Sequence, residues 1–391
     1  VRWDGGTPAN PGGTRYQVRV STFGYGEGIV GQSGYGANRY EWTFSNGISA
    51  NTSYYAEVRA MNPEPYNVET EWTQIPVKYT LIEKSTVEWL MIGQSSITVK
   101  AVREDGEELS NTSSAFGNVT FTLIRPVGFT DYGYGTSEER TIENLLINTT
   151  YGIKVTARNN DGVLNEGGEQ GPYVRSTKIE LPSGIEIVEV TTGSIVVKAK
   201  EEYTNLSSGI SGVKISRKNS AEGSEVEDSG WKQDTGVWST GSDLNSNSEY
   251  YFVVRSRNRA GEVAGEVVVS TYTLASATNT LVVEAGYSGA REYYCEIEVV
   301  GDNPLGETEY AITSDKGETW IGVDGSTGSV IYWSTETVRY HTNLSAGREY
   351  EYQVKARNRA NIETVLSTVY KNTTPPGRPT NLRHTSNSET S

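Results

Sequence analysis

The sequence predicts an all-β chain, a tandem array of four β-sandwich modules, and three observations lead to it. One pattern occurs four times: an aliphatic residue, a Tyr six positions later, then Val, a small residue and Asn at four, six and eight beyond the Tyr. Within each copy the apolar residues alternate, as in Tyr16-Val18-Val20, Ile97-Val99-Ala101, Ile195-Val197-Ala199 and Tyr350-Tyr352-Val354-Ala356. That period of two puts one side of a strand on a core and the other in water. Turn residues separate the runs, among them Asn46-Gly47, Asp105-Gly106, Asn159-Asn160-Asp161-Gly162 and Asp324-Gly325, and no stretch combines helical spacing with caps.

The copies can be placed in order. They are Ile48, Tyr54, Val58, Ala60, Asn62; Leu145, Tyr151, Val155, Ala157, Asn159; Leu244, Tyr250, Val254, Ser256, Asn258; and Leu344, Tyr350, Val354, Ala356, Asn358, with tyrosines 97, 99 and 100 residues apart. A fixed period of this size marks a tandem array, and it exceeds a solenoid unit, so each repeat can hold its own core. Upstream, alternating runs end at Trp3, Ala101, Ala199 and Val299, which precede the tyrosines by 51, 50, 51 and 51 residues. Before those runs comes a first strand: Trp89 precedes Ala101 by 12 and Ile187 precedes Ala199 by 12. In the fourth copy Val283 precedes Val299 by 16, which predicts a longer loop around Gly286-Tyr287-Ser288-Gly289. The expected modules are 1–80, lacking its first strand, 81–178, 179–274 and 275–374, with 375–391 as the first strand of a following module. About seven short strands in about 98 residues is the arithmetic of an immunoglobulin-like β-sandwich.

The frame is interrupted, and the two interruptions match. Pro375-Pro376-Gly377-Arg378-Pro379-Thr380-Asn381-Leu382 through Ser391 has the look of an opening strand, and Val1-Arg2-Trp3 that of a second strand without a first. If residue 391 ran into residue 1, Leu382 would precede the next Trp3 by 12 and Tyr350 the next Tyr54 by 95. Val1, Trp3, Pro379 and Leu382 are therefore the candidate assembly residues, and the expected partner is another copy of the chain, head to tail. Either one polypeptide continues through the joint, or a subunit donates its terminal strand by β-augmentation. The linkers near Tyr79-Thr80, Thr177-Lys178, Leu274-Ala275 and Thr374-Pro375 hold little flexible Gly/Ser sequence, which predicts a semi-rigid rod. Pro375, Pro376 and Pro379 would stiffen the final joint.

The run Leu344-Ser-Ala-Gly-Arg-Glu-Tyr350-Glu-Tyr-Gln-Val354-Lys-Ala356-Arg-Asn358 resembles the sixth-strand signature of fibronectin type III domains. The resemblance extends over all four repeats. It implies that Tyr54, Tyr151, Tyr250 and Tyr350 form tyrosine corners, each hydroxyl bonded to nearby backbone, and that each Asn begins the last hairpin. Only Trp3 supplies the second-strand Trp common in that family, so the other cores must be filled by other aromatic residues.

Composition points to an exported scaffold. With 49 acidic against 34 basic residues, a net charge of −15 argues against nucleic acid or anionic membranes, and no apolar run of 18 predicts membrane insertion. The chain has one Cys, which excludes a disulfide framework, and Cys295 alternates with Ile297 and Val299 as a buried thiol would. Two Met, 25 Tyr against six Phe, and abundant Gly, Ser, Thr and Asn resemble bacterial or archaeal surface proteins, so the expected place is extracellular or at the cell surface.

Chemistry finds little. His341 and His384 read as isolated surface residues, and neither has a second His or a Cys beside it. Gly26-Glu27-Gly28-Ile29-Val30-Gly31 matches a dinucleotide pattern but opens no helix. No catalytic, cofactor or metal residue is expected. Calcium between modules stays open, with no EF-hand spacing to support it. The Gly-Tyr loops carrying Tyr25, Tyr35, Tyr132 and Tyr134 are candidate contacts for another subunit or a glycan, against the alternative that they fold onto their own sandwiches. Asn-x-Ser/Thr sequons stand at Asn51, Asn111, Asn118, Asn148, Asn205, Asn343 and Asn372. The function read from these features is a non-enzymatic structural subunit of an extracellular fibre; the alternatives are an adhesin stalk, or spacer modules of a carbohydrate-active enzyme.

Overall fold

The computed structural model describes residues 1–383 apart from 8, 114–115, 136, 278–279 and 290–291. Every regular element among them is a β-strand. By packing, the chain divides into two compact units: Val1–Glu180 with Thr204–Ser211 and Arg257–Glu262, and Leu181–Tyr203 with Gly212–Ser256 and Val263–Ser391.

In the first unit, the first module has one five-stranded sheet in which Glu27–Gln32, Arg15–Gly24, Ser53–Met61 and Thr73–Tyr79 follow one another and Gly36–Ala37 pairs Arg15–Gly24. Opposite it, Arg2 bridges Glu41, the Trp3 amide donates to Tyr40 O at 3.0 Å and the Trp42 amide to Val1 O at 2.9 Å. The second module is a full sandwich. Its sheets are Glu139–Ile142, Ile97–Arg103, Ser85–Ile92 and, facing them, Gln170–Ser176, Thr150–Ala157, Val119–Ile124, Phe129–Asp131. Alternation does the sorting. Ile97, Val99, Phe121, Leu123, Ile153 and Val155 are fully buried between the sheets, while Lys154 points outward to Glu169. Each such apolar side chain contributes about 1.5–3 kcal/mol on burial.

In the second unit the same two-sheet plan recurs. Ile185–Val190, Ile195–Ala199 and Trp238–Ser239 form one sheet, and Glu225–Asp228, Gly212–Lys218, Glu249–Arg257 and Val263–Tyr272 another. The fourth module pairs Thr280–Ser288, Glu292–Val300 and Val338–Leu344 in one sheet and Glu309–Thr313, Glu349–Arg357 and Tyr370–Thr373 in another. Aromatic side chains fill these cores where a second-strand Trp is missing: Phe121 in the second module, Phe252 against Trp238 in the third, Trp320 and Tyr352 in the fourth.

Each repeat turns the same corner. The hydroxyls of Tyr54, Tyr151, Tyr250 and Tyr350 accept from the amides of Ser49, Leu146, Asn245 and Ser345 at 2.7, 2.7, 2.8 and 2.9 Å. The bond ties the loop before the strand to the strand itself, and in the second module it is buried with Leu145.

Two expectations need correction. The four extra residues of the fourth repeat do not make a longer loop. They lengthen both strands of a hairpin that stays in register from Thr280↔Val300 to Ser288↔Glu292, so Gly286, Tyr287 and Ser288 lie in a strand. Tyr287 and Tyr293 stack across it with ring centroids 5.0 Å apart, which favours continued pairing over a loop. His341 is not a surface residue. It is 7% exposed, pairs with Cys295 across the sheet, and its Nδ1 lies 3.0 Å from the Tyr352 hydroxyl. An inward strand position overrides the usual preference of histidine for solvent. His384 lies outside the described residues. Cys295 is a free, buried thiol, pushed up in pKa by that burial.

Two measurements follow from these cores. Tyr151→Phe leaves the Leu146 amide without its acceptor and should lower unfolding stability by about 1–3 kcal/mol in urea melts, with secondary structure unchanged. Burial holds the His341 imidazole down at about 4 against an ordinary 6.5, with nearby Asp315 opposing. The folded state therefore keeps it neutral where the unfolded state takes up a proton. Its contribution is complete above the ordinary value and is lost as pH falls from 6.5 to about 4, by up to about 3 kcal/mol. His341→Gln should flatten the fourth module's melting temperature across that window.

Candidate functional site

The first module carries an open seam. Its Val1–Arg2 edge and the strand Thr73–Tyr79 flank a cleft of about 380 Å³ lined by buried and partly buried core side chains, among them Val20, Phe44, Ile48, Tyr54 and Ile75. In the second module Ser85–Ile92 covers the matching seam, pairing Val87 with Ala101 and Trp89 with Val99. The third and fourth modules do likewise, with Ile185↔Ala199 and Leu281↔Val299. Trp3 occupies the place of those alanines and Val299 in the repeat. Its half-buried ring packs 5.9 Å from Tyr16, and its indole N–H has no partner. The Val1 ammonium donates to Trp42 O at 2.9 Å.

The segment with the matching register joins no sheet, its backbone bonds to the fourth module being those of Thr374 to Arg348 O and of the Gly347 amide to Pro375 O. Residues 374–383 form no strand; Arg378 stacks over Tyr287 at 5.1 Å and the Tyr293 hydroxyl donates to Pro376 O at 3.5 Å. Pro379 is exposed and Leu382 is 94% exposed. In the repeat frame Leu382 stands where Trp89 and Val283 stand, and both of those pack against the core of their own module. Residues 384–391, the remainder of the expected strand, lie outside the described residues.

The four loop tyrosines are folded onto their own modules. Tyr25 donates to Ile75 O at 2.8 Å and packs edge-on against Tyr55. Tyr35 donates to Glu69 under Arg59; burial first and then that carboxylate raise its phenol to about 12. Tyr132 packs on the second core beneath Arg140, and Tyr134 lies beneath Arg158 at 3.8 Å. Cation–π stacking of this kind holds the loop rings in place.

A second set of residues was not visible as a site in the sequence. Three positions before the corner tyrosines stand Asn51, Asn148 and Asn247, all in the left-handed region with φ of 46°, 49° and 43°. All three are essentially fully buried. Asn51 donates through Nδ2 to Asn111 O at 2.9 Å and accepts at Oδ1 from the Asn160 amide at 2.9 Å. Asn148 donates to Asn205 O at 2.9 Å and accepts from the Arg259 amide at 2.7 Å. Asn247 donates to the Thr308 hydroxyl at 2.8 Å and accepts from the Arg359 amide at 3.0 Å. Each side chain thus reaches from one repeat into the next. The return bonds run from Asn159, Asn258 and Asn358, whose Nδ2 groups donate to Thr80, Thr177 and Thr273 carbonyls. Asn205 and Arg259, the partners of Asn148, lie in the segments Thr204–Ser211 and Arg257–Glu262 of the first unit. Alignment on the corner Tyr would have revealed the signal, since the position reads Asn, Asn, Asn, Gly, the residue types that tolerate a positive φ.

These bonds also bear on the sequons. Asn51 and Asn148 are occupied in this way, and Asn118 is buried with its amide on Arg158 O and Asn160 Oδ1, so a glycan at any of the three would have to break packing. Among the described residues no group of three His, Cys, Asp or Glu side chains is placed to hold a metal ion.

No protein-family model matches the sequence, and no curated protein matches it. Solved structures do. A two-domain fibronectin type III segment of chicken tenascin aligns at 14% identity over 49% of this chain and 99% of its own, with a TM-score of 0.34. The three-domain chicken CNTN1 FN1–FN3 structure aligns at 12% identity over 75% of this chain and 99% of its own, with a TM-score of 0.26. Both are tandem fibronectin type III structures.

Asn51→Asp places acceptors against the Ser110 and Asn111 carbonyls in a buried site, and should cost about 2–4 kcal/mol in urea unfolding. The same change at exposed Asn343 should be neutral, which separates the joint from a general effect of added charge.

Proposed function

We propose that this chain is a structural, non-enzymatic unit of an extracellular fibre, joined to further copies of itself head to tail by completion of a split β-sandwich. The observation that carries this is the seam beside Val1–Trp3, open to the first module's core, together with the exposed segment around Pro379 and Leu382 that keeps the register of a covering strand. An uncovered edge presents unpaired amides and carbonyls and invites pairing, a liability that a specific strand removes. Main-chain bonds would supply most of the affinity, and insertion of Leu382 beside the core would set the register.

The joint can be continuous or donated, since both place the same residues in the same seam. No cofactor is required by either, and nucleic acid and membranes are not proposed partners for a chain of net charge −15. A glycan-binding adhesin draws less support, because Tyr132 and Tyr134 already lie against Arg140 and Arg158 of their own module.

Leu382→Asp tests the reading. In the isolated chain that side chain is exposed, so melting should not change, whereas head-to-tail association measured by light scattering or electron microscopy should fall sharply. Association unaffected by Asp at this position would overturn strand completion. Denaturing electrophoresis of native fibres then separates the two joints: a ladder indicates a continuous polypeptide, and a single band near 42.8 kDa indicates donation.

A further inference from the structure

The position that holds Asn51, Asn148 and Asn247 is Gly347 in the fourth module. Its backbone is the same: φ is 61°, and its amide donates to the linker carbonyl of Pro375 at 3.0 Å, as Asn51, Asn148 and Asn247 donate to Leu81, Lys178 and Leu274. Only the side chain that would reach the next module is gone. Asparagine at the other three positions is therefore not explained by the turn, which glycine makes equally well.

The receiving side is altered too. The amides that bond the asparagine Oδ1 belong to Asn160, Arg259 and Arg359, each one residue beyond the Asn that ends the repeated pattern. In the first module that place is Pro63, directly after Asn62. Proline has no amide hydrogen and cannot donate. A junction in which a fourth module precedes a first module brings together Gly347, with nothing to offer, and Pro63, with nothing to give in return. Both partners of the bond made by the asparagine Oδ1 are missing from the same joint, where Asn62, the counterpart of Asn159, Asn258 and Asn358, keeps the side chain of the return bond.

Resting on the head-to-tail reading above, we propose that the contact between successive copies is a joint of a second kind, secured by strand completion and the Asn62 return bond but without the Asn51-type clamp, at which the fibre bends and parts. The asparagine clamp then stiffens the joints that Asn51, Asn148 and Asn247 span, and the copy boundary is a hinge. Pro375 and Pro376 restrict the linker's own dihedrals, but no hydrogen bond equivalent to those of Asn51 crosses to the first module.

The test has two parts. In the full chain, spin labels on the first and second modules report the distribution of distances across the Asn51 joint. Asn51→Gly keeps the left-handed turn and should broaden that distribution; an unchanged width would overturn the clamp as the source of stiffness. In two full copies fused from residue 391 to residue 1, labels across the central joint should give a distribution as broad as that of Asn51→Gly. Gly347→Asn with Pro63→Arg should narrow it. Trypsin protection at Arg383 reports whether the seam is filled. A protected tail with a central joint as narrow as the parent Asn51 joint would overturn this inference alone, and an unprotected tail would overturn the head-to-tail reading and the inference with it.

Discussion

A buried asparagine held at positive φ does two things that no other residue combines. It tolerates the left-handed turn that lets the chain leave one sandwich, and its amide presents a donor and an acceptor in one plane. Asn51 uses both at once, donating to a carbonyl of the next module and accepting from an amide of its last hairpin. In a buried site these bonds are costly to break, because each released group would be left without water. Neighbouring sandwiches joined only by a short linker could pivot; a bifunctional amide adds two hydrogen bonds from one repeat to the next.

The seam of the first module obeys a different constraint. A sheet edge next to an open core exposes apolar side chains and unpaired backbone together, and either alone promotes association. The three other modules cover the equivalent seam with strands whose registers agree, Val87↔Ala101, Ile185↔Ala199 and Leu281↔Val299. Joints and seams thus divide the work of assembly. Side-chain amides bond one repeat to the next within the chain, and backbone pairing is proposed to link one copy to the next.

Charge has a supporting place. Ion pairs such as Arg19–Glu57 and Lys214–Glu225 lie on outward faces of strands, where they use long side chains to cover the sheet. The loop tyrosines follow the same economy of surface, with Arg59, Arg140 and Arg158 laid over their rings.

The all-β class, the repeating frame and the corner tyrosines were determined by the sequence alone. Each depends on neighbours a few residues apart, or on an interval that repeats, and alternation encodes which way a strand's side chains face. Tertiary structure decided the rest. Asn51, Asn148 and Asn247 resemble ordinary polar loop residues, and two of them resemble glycan acceptors, because the amides they accept from lie 109, 111 and 112 residues away. His341 looked exposed because its chemistry is polar, yet a strand position opposite Cys295 turned it inward. The extra residues before Glu292 could have been loop or strand, and cross-strand stacking of Tyr287 on Tyr293 chose strand. Local pattern fixes which face is buried; only the folded chain brings together the distant groups that a buried polar atom must have.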